Sequence, residues 1–584
     1  MARQARARPG PPLFCVLALL HSSSLALRPT PLRPSALRRA WAPRAVATVE
    51  ATDHPLEAIR AAPAHADSLE SASVAGPLND APWRHAFRAL ATDPAFVSAG
   101  FGKAAFKLDE RWDFAVGSVT MEDVERDVTL MPPQFVASGV RYQGGIYNQP
   151  FTAGFTFADV DARMDAATVV LLNAGFLIPK LAAISLAMLE ATRLPIWMNV
   201  YLSKPGLTTS TQLHTDTQDV LLVQATGRKR WRVYRPPPPG RTPTLDPLAR
   251  GKGTDHLECD EAELLIDTVM EPGQVLFIPA GFPHTTDTLL EPVEDAVASE
   301  PSLHLTVGVD THLWSLSYAH ARQIALARAG QSVALASGAS VRTLGLEAWS
   351  LLHAPLPLGF LGGVNSGQVG LSAAEREAEQ ASEAALQAAR EAKAMEAAVE
   401  CAEAGAARKA AKQAAASAAK HAKEAAAAAA AAQRACDRDV AAGLGALLGA
   451  RMCAAEPERW AGSEVAQLTQ ELGLEAAARR LLQHHRSVLA EQAAMYLRAT
   501  YAPPKSATAL RGFTQALMDS MDALDAHTAS LDAWASGAEA TGVGAGMGGA
   551  GAKGGVGMGM GQPAKSAGKS QAKKKPAAKK KKKR

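Results

Sequence analysis

Cysteine is scarce in this chain and is not paired. The five cysteines among 584 residues are Cys15, Cys259, Cys401, Cys436 and Cys453, and no two form a C-x-x-C pair. The sequence therefore supports neither a disulfide framework nor a zinc site, and a reducing interior is the expected environment. Long apolar runs are also missing. No segment reaches the roughly twenty apolar residues that a membrane-spanning helix needs, so no membrane span is predicted.

The first 49 residues contain no acidic side chain. They hold eight arginines, and Arg3, Arg6 and Arg8 precede the apolar segment Leu13–Leu20. A short apolar core followed by an arginine- and serine-rich stretch is typical of a signal peptide joined to an organelle transit peptide. We therefore predict that residues 1–49 are a targeting leader for a plastid or another organelle. A disordered basic leader without a targeting role is the alternative.

The other end of the chain lacks aromatic residues and is dominated by one sign of charge. Residues 573–584 contain nine basic residues among twelve. Low complexity with a terminal charge block predicts disorder. Such a tail can contact RNA without sequence preference, serve as a nuclear localisation signal or act only as a solubiliser. The two ends therefore indicate different compartments, an organelle or the nucleus.

Two histidines and a carboxylate form the most informative pattern. His214 and Asp216 are two residues apart, so on a β-strand both point to the same face. His284 follows a turn signal, an apolar strand-like run and a second turn over residues 271–283. Two histidines and one carboxylate on one face of iron leave three adjacent coordination positions open, as in non-haem Fe(II) oxygenases. Fifteen histidines make such a pair easy to find by chance, so the neighbouring segments decide its weight.

The segment after Asp216 predicts a buried cation. Val220–Thr226 is typical of a buried strand, Gly227 breaks it, and residues 228–234 alternate with a period of two. The outer face of this second strand receives Arg228, Arg230 and Arg232, and the inward face receives Lys229, Trp231 and Val233. An inward lysine is costly unless it meets an anion. Either it extends to the rim of the fold, or it binds the far carboxylate of a small diacid cosubstrate.

Five segments, in this order, resemble those of a JmjC-type hydroxylase of the ribosomal oxygenase branch. They are Asn199–Gly206, His214–Asp216, Gln224–Pro236, Glu271–His284 and Ser302–Thr306. The resemblance covers roughly residues 105–320, and its central block is highly specific. It implies the α+β class, with a cupin-type double-stranded β-helix, flanking helices and a helical C-terminal half.

The resemblance also implies roles for particular residues. His214, Asp216 and His284 would be the Fe(II) ligands, and Lys229 would bind the C5 carboxylate of 2-oxoglutarate. Further lining residues would be Asn199, Tyr201 and Thr306. The sequence departs from the family in two places: the spacing from Asn199 to His214 is about one residue longer, and Thr211–Leu213 lacks a proline-rich lead-in. Because that second segment borders the substrate cleft, the departure concerns the substrate more than the iron.

The implied activity is that of an Fe(II)- and 2-oxoglutarate-dependent dioxygenase that hydroxylates a histidine of a ribosomal protein. A JmjC histone lysine demethylase would share every residue named above and differ only in the outer cleft. A catalytically silent cupin that binds ribosomes or RNA through its basic tail is an alternative of another class. A cupin that uses its metal for isomerisation fits Lys229 poorly.

The remaining sequence is predicted to be mostly helical. Residues 156–189, including Val169–Leu172, have a helical pattern, and residues 366–443 predict a long alanine-rich solvated helix that Gly405 interrupts. Alanine supplies a coiled-coil seam only weakly. Residues 444–530 show no strand pair that strongly supports the winged-helix module of the resembled family. The predicted organisation is a leader (1–49), a helical or linker region (50–104), the catalytic domain (105–310), a helical region that in the resembled family mediates homodimerisation (311–365), the alanine-rich helix (366–443), a C-terminal helical region (444–530) and a disordered tail (531–584).

Overall fold

The computed structural model describes most of the chain between residues 80 and 535. The described residues are 80–142, 145–236, 248, 250–252, 256–260, 263–289, 300–312, 314, 316–330, 346–358, 360, 373–401, 405–501 and 507–535. The leader 1–49, most of region 50–104 and the tail from residue 536 lie outside them. None of the helices in the described ranges has the length and apolar character needed to cross a membrane.

Two antiparallel sheets form the centre of the fold. The strands are β1 (Phe106–Lys107), β2 (Val136–Tyr142), β3 (Gly145–Pro150), β4 (Val169–Leu171), β5 (Ile196–Ser203), β6 (Thr211–His214), β7 (Asp219–Thr226), β8 (Lys229–Tyr234), β9 (Leu264–Met270), β10 (Val275–Ile278), β11 (His284–Asp287) and β12 (Ser302–Val309). The larger sheet has the order β1-β10-β7-β12-β5-β4-β2-β3, and the smaller has β6-β11-β8-β9. From β5 onward the chain passes repeatedly from one sheet to the other. This topology confirms the predicted double-stranded β-helix.

Side chains on the two faces of the central strands belong to two separate apolar layers. On β12, Leu303, Leu305 and Val307 belong to the large core that also includes the surrounding helices. Val220 and Leu222 of β7 instead belong to a smaller cluster between the sheets, together with Trp231 and Val233 of β8. Successive side chains of a strand point to opposite faces, which explains the separation. The face between the sheets therefore carries the polar residues of β5 and β12.

The turn between β7 and β8 depends on Gly227. Its φ of +60° lies in the left-handed region, and a Cβ atom there would lie 2.5 Å from the carbonyl oxygen of Pro301. Only glycine meets both conditions without strain. The turn sets the register of β8, so that Lys229 is buried at its start and Trp231 and Val233 follow inward.

The helices on the barrel side are α1 (Ala81–Thr92), α2 (Met121–Asp127), α3 (Phe157–Met164) and α4 (Pro179–Thr192). The expectation that residues 156–189 are continuously helical is wrong at Val169–Leu171, which is strand β4. Two adjacent β-branched valines favour an extended chain, and this strand pairs with both β2 and β5. Trp83 and Phe87 of α1 belong to the same core as α4, so the packed core begins near residue 81.

The C-terminal half packs directly on the barrel. Its helices are α5 (Tyr318–Arg328), α6 (Leu346–His353), α7 (Ala373–Cys401), α8 (Ala406–Ala455), α9 (Val465–Glu471), α10 (Leu474–Tyr501) and α11 (Ala507–Ala535). The ring of Tyr496 on α10 stacks on Phe176 at a centroid distance of 4.5 Å. His485 contacts the carbonyl oxygen of Arg193 at 2.7 Å through Nε2. In the described part of residues 444–530, every regular element is a helix.

Helices α7 and α8 form a hairpin whose turn contains Gly405, at a φ of +104°. The inward positions of α8 repeat at alternating intervals of four and three residues, as in a coiled coil. They are Ala411, Ala415, Ala418, Ala422, Ala425, Ala429 and Ala432. The alanine-rich region is therefore a two-helix coiled coil and not one solvated helix. Alanine is sufficient for the seam because its methyl group lets the two helices pack closely.

A buried ion pair connects α5 to the end of α8. Nε and Nη2 of Arg322 donate to the two carboxylate oxygens of Glu456 at 2.7 and 2.8 Å. We expect Glu456→Ala to lower the free energy of unfolding by about 3–5 kcal/mol, because it leaves the Arg322 guanidinium buried and unpaired. Arg459→Ala removes the more exposed partner of the same carboxylate and should cost less than about 1 kcal/mol. Urea denaturation followed by circular dichroism measures both, and equal losses would contradict the assignment.

Candidate functional site

The predicted triad converges at the β6 edge of the smaller sheet, where β6 pairs with β11. His214 ends β6 and His284 begins β11, and the two are directly opposite each other in the antiparallel pairing. Asp216 follows two residues after His214. The Nε2 atoms of His214 and His284 lie 3.7 and 3.5 Å from the carboxylate oxygens of Asp216. One possible ligand atom from each of the three residues lies within 4.8 Å of the others, which allows a single metal ion to bind all three.

Hydrogen bonds orient both imidazoles toward this centre. Nδ1 of His214 lies 2.7 Å from the carbonyl oxygen of Gln212, and Nδ1 of His284 lies 3.0 Å from that of Phe282. A carbonyl only accepts, so each Nδ1 carries the hydrogen and donates it. Each Nε2 is then left with a lone pair directed at Asp216. This is the tautomer and backbone support that metal-binding histidines need.

Burial keeps the two rings neutral. It lowers the pKa of His214 to about 3, with the proximity of His284 adding to the effect. Burial also lowers the pKa of His284. Burial alone would raise the pKa of Asp216, but the Lys252 ammonium, 2.7 Å from Oδ1, helps to bring it below its usual value. Two neutral imidazoles and one carboxylate are the donor set that suits a divalent iron.

Lys229 lies in the interior at the start of β8, four residues from Val233, which is paired with His284. Its side chain is fully buried, and Nζ donates to Oγ of Ser203 at 2.8 Å. No carboxylate among the described residues forms an ion pair with it. Burial lowers the pKa of the Lys229 amine to about 7. A buried amine with one neutral partner is poised to bind an anion, since an anion would restore the charge and offset the cost of burial.

Several other buried polar atoms on this face have no hydrogen-bond partner within the described structure. They are Nδ1 and Nε2 of His304, Oγ1 of Thr306 and Oε1 of Gln224. The His304 ring stacks on Tyr201 at 4.8 Å and meets Trp231 edge-on at 5.2 Å. Burial, with the nearby Lys229 ammonium, holds the pKa of His304 well below its usual value. Unsatisfied buried polar groups are rare and indicate a place that a polar ligand can occupy.

The structure brings all seven predicted site residues to this one face. Tyr201 lies on β5 opposite His304, and Asn199 lies opposite Thr306. Oδ1 of Asn199 also accepts from the backbone N–H of Asn173 at 2.9 Å, which fixes its amide. Burial, with the nearby Asp216 carboxylate, raises the pKa of Tyr201. The individual roles of Asn199, Tyr201 and Thr306 stay predictions.

Three residues of the site had no predicted role. Ser203 continues the spacing of two that Asn199 and Tyr201 begin on β5, and His304 lies two residues before Thr306 on β12, so this spacing could have identified both. Lys252 contacts Asp216 from an irregular segment after β8, where no periodicity exists to signal it.

Comparison with known proteins shows what the region around this site is similar to. Residues 172–315 match the family model described as the JmjC domain. A bifunctional lysine-specific demethylase and histidyl-hydroxylase, NO66 of Drosophila mojavensis, is 32% identical over 145 residues, which are 25% of this chain and 15% of that protein. Ribosomal oxygenase 1 of Homo sapiens is 38% identical over 109 residues, covering 19% of this chain and 15% of that protein. Ribosomal protein uL16 3-hydroxylase of Escherichia coli is 41% identical over 71 residues, covering 12% and 17%.

Among solved structures, YcfD, a ribosomal oxygenase from Escherichia coli, aligns with 37% of this chain and 50% of its own at 20% identity and a TM-score of 0.25. Residues 172–315 match the JmjC domain model, and the two sheets and the triad agree with the predicted cupin fold. The curated relatives of this domain include ribosomal oxygenases, and each match named above spans less than a fifth of the relative's length.

We expect ligand binding to depend on pH, because burial lowers the pKa of Lys229 to about 7. A dianion at Nζ favours the charged amine, so binding above pH 7 takes up a proton. We expect the Kd for 2-oxoglutarate to rise about tenfold per pH unit above about pH 7, until the pH reaches the pKa of the bound state. Anaerobic calorimetry with Fe(II) measures this. In Lys229→Arg the guanidinium stays charged and the dependence should disappear, whereas a constant Kd in the unmodified protein would show that Lys229 is already charged before binding.

Proposed function

We propose that this chain is an Fe(II)- and 2-oxoglutarate-dependent dioxygenase that hydroxylates a histidine side chain of a ribosomal protein. One observation carries the proposal. Two neutral imidazoles and a carboxylate converge within 4.8 Å, and the same interior holds a buried lysine that has no carboxylate partner among the described residues. A metal centre alone would not require such a lysine. A binding module without catalytic activity would require neither the triad nor the lysine.

The donor set fits the proposed iron. Nε2 of His214, Nε2 of His284 and a carboxylate oxygen of Asp216 would hold it, because the backbone carbonyls already direct both lone pairs inward. With 2-oxoglutarate and O₂, a bound iron supplies the chemistry that converts 2-oxoglutarate to succinate and CO₂ and adds one oxygen atom to a C–H bond of the substrate. Lys252 restrains the Asp216 carboxylate from outside the triad.

The interior also fits a small diacid. The Lys229 ammonium and the Ser203 hydroxyl would bind the carboxylate that lies farther from the metal, through charge-assisted hydrogen bonds. Thr168 accepts from or donates to Ser203 at 2.8 Å, so the hydroxyl is already held in place. The unpaired polar atoms of His304 and Thr306 lie on the same face and would meet a polar ligand instead of apolar side chains.

The substrate assignment is supported by the names of the relatives. One is called a uL16 3-hydroxylase and another ribosomal oxygenase 1. A relative named as both a lysine-specific demethylase and a histidyl-hydroxylase favours histone lysine demethylation as the second candidate. The two reactions differ in product mass: hydroxylation adds one oxygen, and demethylation removes one methyl group.

We expect the purified chain with Fe(II), 2-oxoglutarate and O₂ to form succinate when ribosomal proteins are added, and one ribosomal protein to gain about 16 Da. Asp216→Ala should abolish both signals, because it removes the only carboxylate in the ligand set. Asp267→Ala is the matched control: its carboxylate lies on the outer face of β9, paired with Arg230, and turnover should persist. Intact-protein mass spectrometry reads the result, and full turnover in the Asp216 variant would remove the triad assignment.

For localisation, we propose import into a plastid or another organelle. The support is the acid-free leader 1–49 with its apolar core Leu13–Leu20. A fluorescent protein fused after residue 49 should enter an organelle, and the mature chain should lack the leader. The same fusion with Arg3, Arg6 and Arg8 replaced by glutamine is the control and should be imported poorly. A fusion that remains in the cytosol or enters the nucleus would contradict the proposal.

Two proposals about partners complete this function. The basic tail 573–584 would hold the enzyme near ribosomal particles through phosphate contacts and take no part in the chemistry. Region 311–365 would contribute to a homodimer, as the resemblance implies.

A further inference from the structure

The hairpin of α7 and α8 carries an ordered row of positive charge. Six cations of α8 lie on one side of the helix: Lys409, Lys412, Lys420, Lys423, Arg434 and Arg438. At 100° per residue, they fall within an arc of about 80° and extend over about 44 Å. All six are exposed. This row lies on the side of α8 opposite the alanine seam, so it faces away from α7.

Charge is divided between the two helices of the hairpin. Helix α7 contains seven glutamates and three cations, whereas residues 406–438 of α8 contain seven cations and two carboxylates. Of the six residues in the row, Lys420 alone forms an ion pair within the described structure, with Glu424 at 3.8 Å. The other five cations of the row therefore form no ion pair within the described residues and are available to an anionic partner.

The surface around the row contains almost no large apolar side chain. Between the cations it presents alanines, among them Ala416, Ala427 and Ala430, which are all exposed. A stable protein partner would need buried anchors, usually aromatic or large aliphatic residues, at the centre of its contact. A phosphate backbone needs only regularly placed cations. The surface therefore fits nucleic acid better than protein.

We propose that the outer face of α8 binds the phosphate backbone of RNA. The coiled coil fixes the cations along a straight line, so little backbone conformational entropy is lost on binding. The row has no aromatic residue on which a base could stack, and binding is therefore indifferent to sequence. The choice of RNA rests on the proposed function, which places the enzyme at ribosomal proteins; the binding itself does not involve the metal site.

The test measures the affinity of the full chain, kept metal-free, for a duplex RNA of about 20 base pairs, which is longer than the row. In Lys412→Gln/Lys420→Gln/Lys423→Gln we expect at least about tenfold weaker binding at 50 mM salt. The plot of log K against log salt should also become shallower by about two to three, one for each lost phosphate contact. Glutamine is a good helix former, so the hairpin should stay folded. Circular dichroism checks this.

A control variant carries the same loss of charge elsewhere on the hairpin. Arg390→Gln/Lys393→Gln/Arg408→Gln removes three exposed cations that lie outside the row, and we expect less than about threefold weaker binding. Lys412→Arg/Lys420→Arg/Lys423→Arg keeps the charge and should bind as the unmodified chain does. Equal weakening in the glutamine variant and the control, or failure of the arginine variant to bind, would overturn the proposal.

A second comparison distinguishes RNA binding by the row on α8 from RNA binding by the basic tail. Truncation after Gln571 removes the nine terminal basic residues. The three glutamine substitutions in the row should weaken binding by a similar factor with and without the tail. If the row has no effect once the tail is absent, or if light scattering shows that the substitutions only dissociate a dimer of this chain, the row is not an RNA site. None of these measurements requires turnover. The RNA-binding proposal can therefore fail or succeed whether or not the proposed hydroxylation is observed.

Discussion

The antiparallel pairing of β6 with β11 is the constraint on which the metal centre depends. It sets His284 directly opposite His214, and Asp216, two residues beyond the end of β6, lies within 4 Å of both imidazoles. A shift of one residue in this register would turn one imidazole to the other face of the sheet. The carbonyl groups of Gln212 and Phe282, which accept from the two Nδ1 atoms, come from the same local segments. Register, ring orientation and tautomer are therefore fixed together.

Lys229 is a buried amine, and its burial lowers the stability of the barrel. Its amine is buried with Ser203 as its hydrogen-bond acceptor, although an aliphatic side chain would pack there without penalty. The inward period of β8 places it there, and Gly227 sets that period. The neighbouring unpaired atoms of His304 and Gln224 add to the same cost. Sites that bind ligands commonly retain such unfavourable groups, whereas the surrounding core supplies the stability.

Local periodicity explains what the sequence could predict. The pairing of His214 with Asp216 and the inward row of β8 were predicted from a spacing of two, whereas His284 was predicted from the turn and strand signals before it. The row of β8 is present, and Asp216 reaches the site from two residues beyond the end of β6. The contact between Lys229 and Ser203 could not be predicted, because it joins two strands that are far apart in sequence. Val169–Leu171 was assigned wrongly, since three apolar residues between helices fit either structure until their pairing with β2 and β5 is known. The alanine seam was also missed, because alanine favours a lone helix and a close helical pair alike.

The first residue of β5 is held by a helix that follows it by about three hundred residues. Oε1 of Gln492 accepts from the backbone N–H of Ile196 at 3.0 Å, and the hydroxyl of Tyr496 donates to the carbonyl oxygen of the same residue. Both side chains belong to α10. During synthesis the barrel sequence leaves the ribosome long before α10 does, so in a nascent barrel the N–H and carbonyl groups of Ile196 would lack these two partners. Completion of the catalytic half would then be one of the last events in the maturation of the chain.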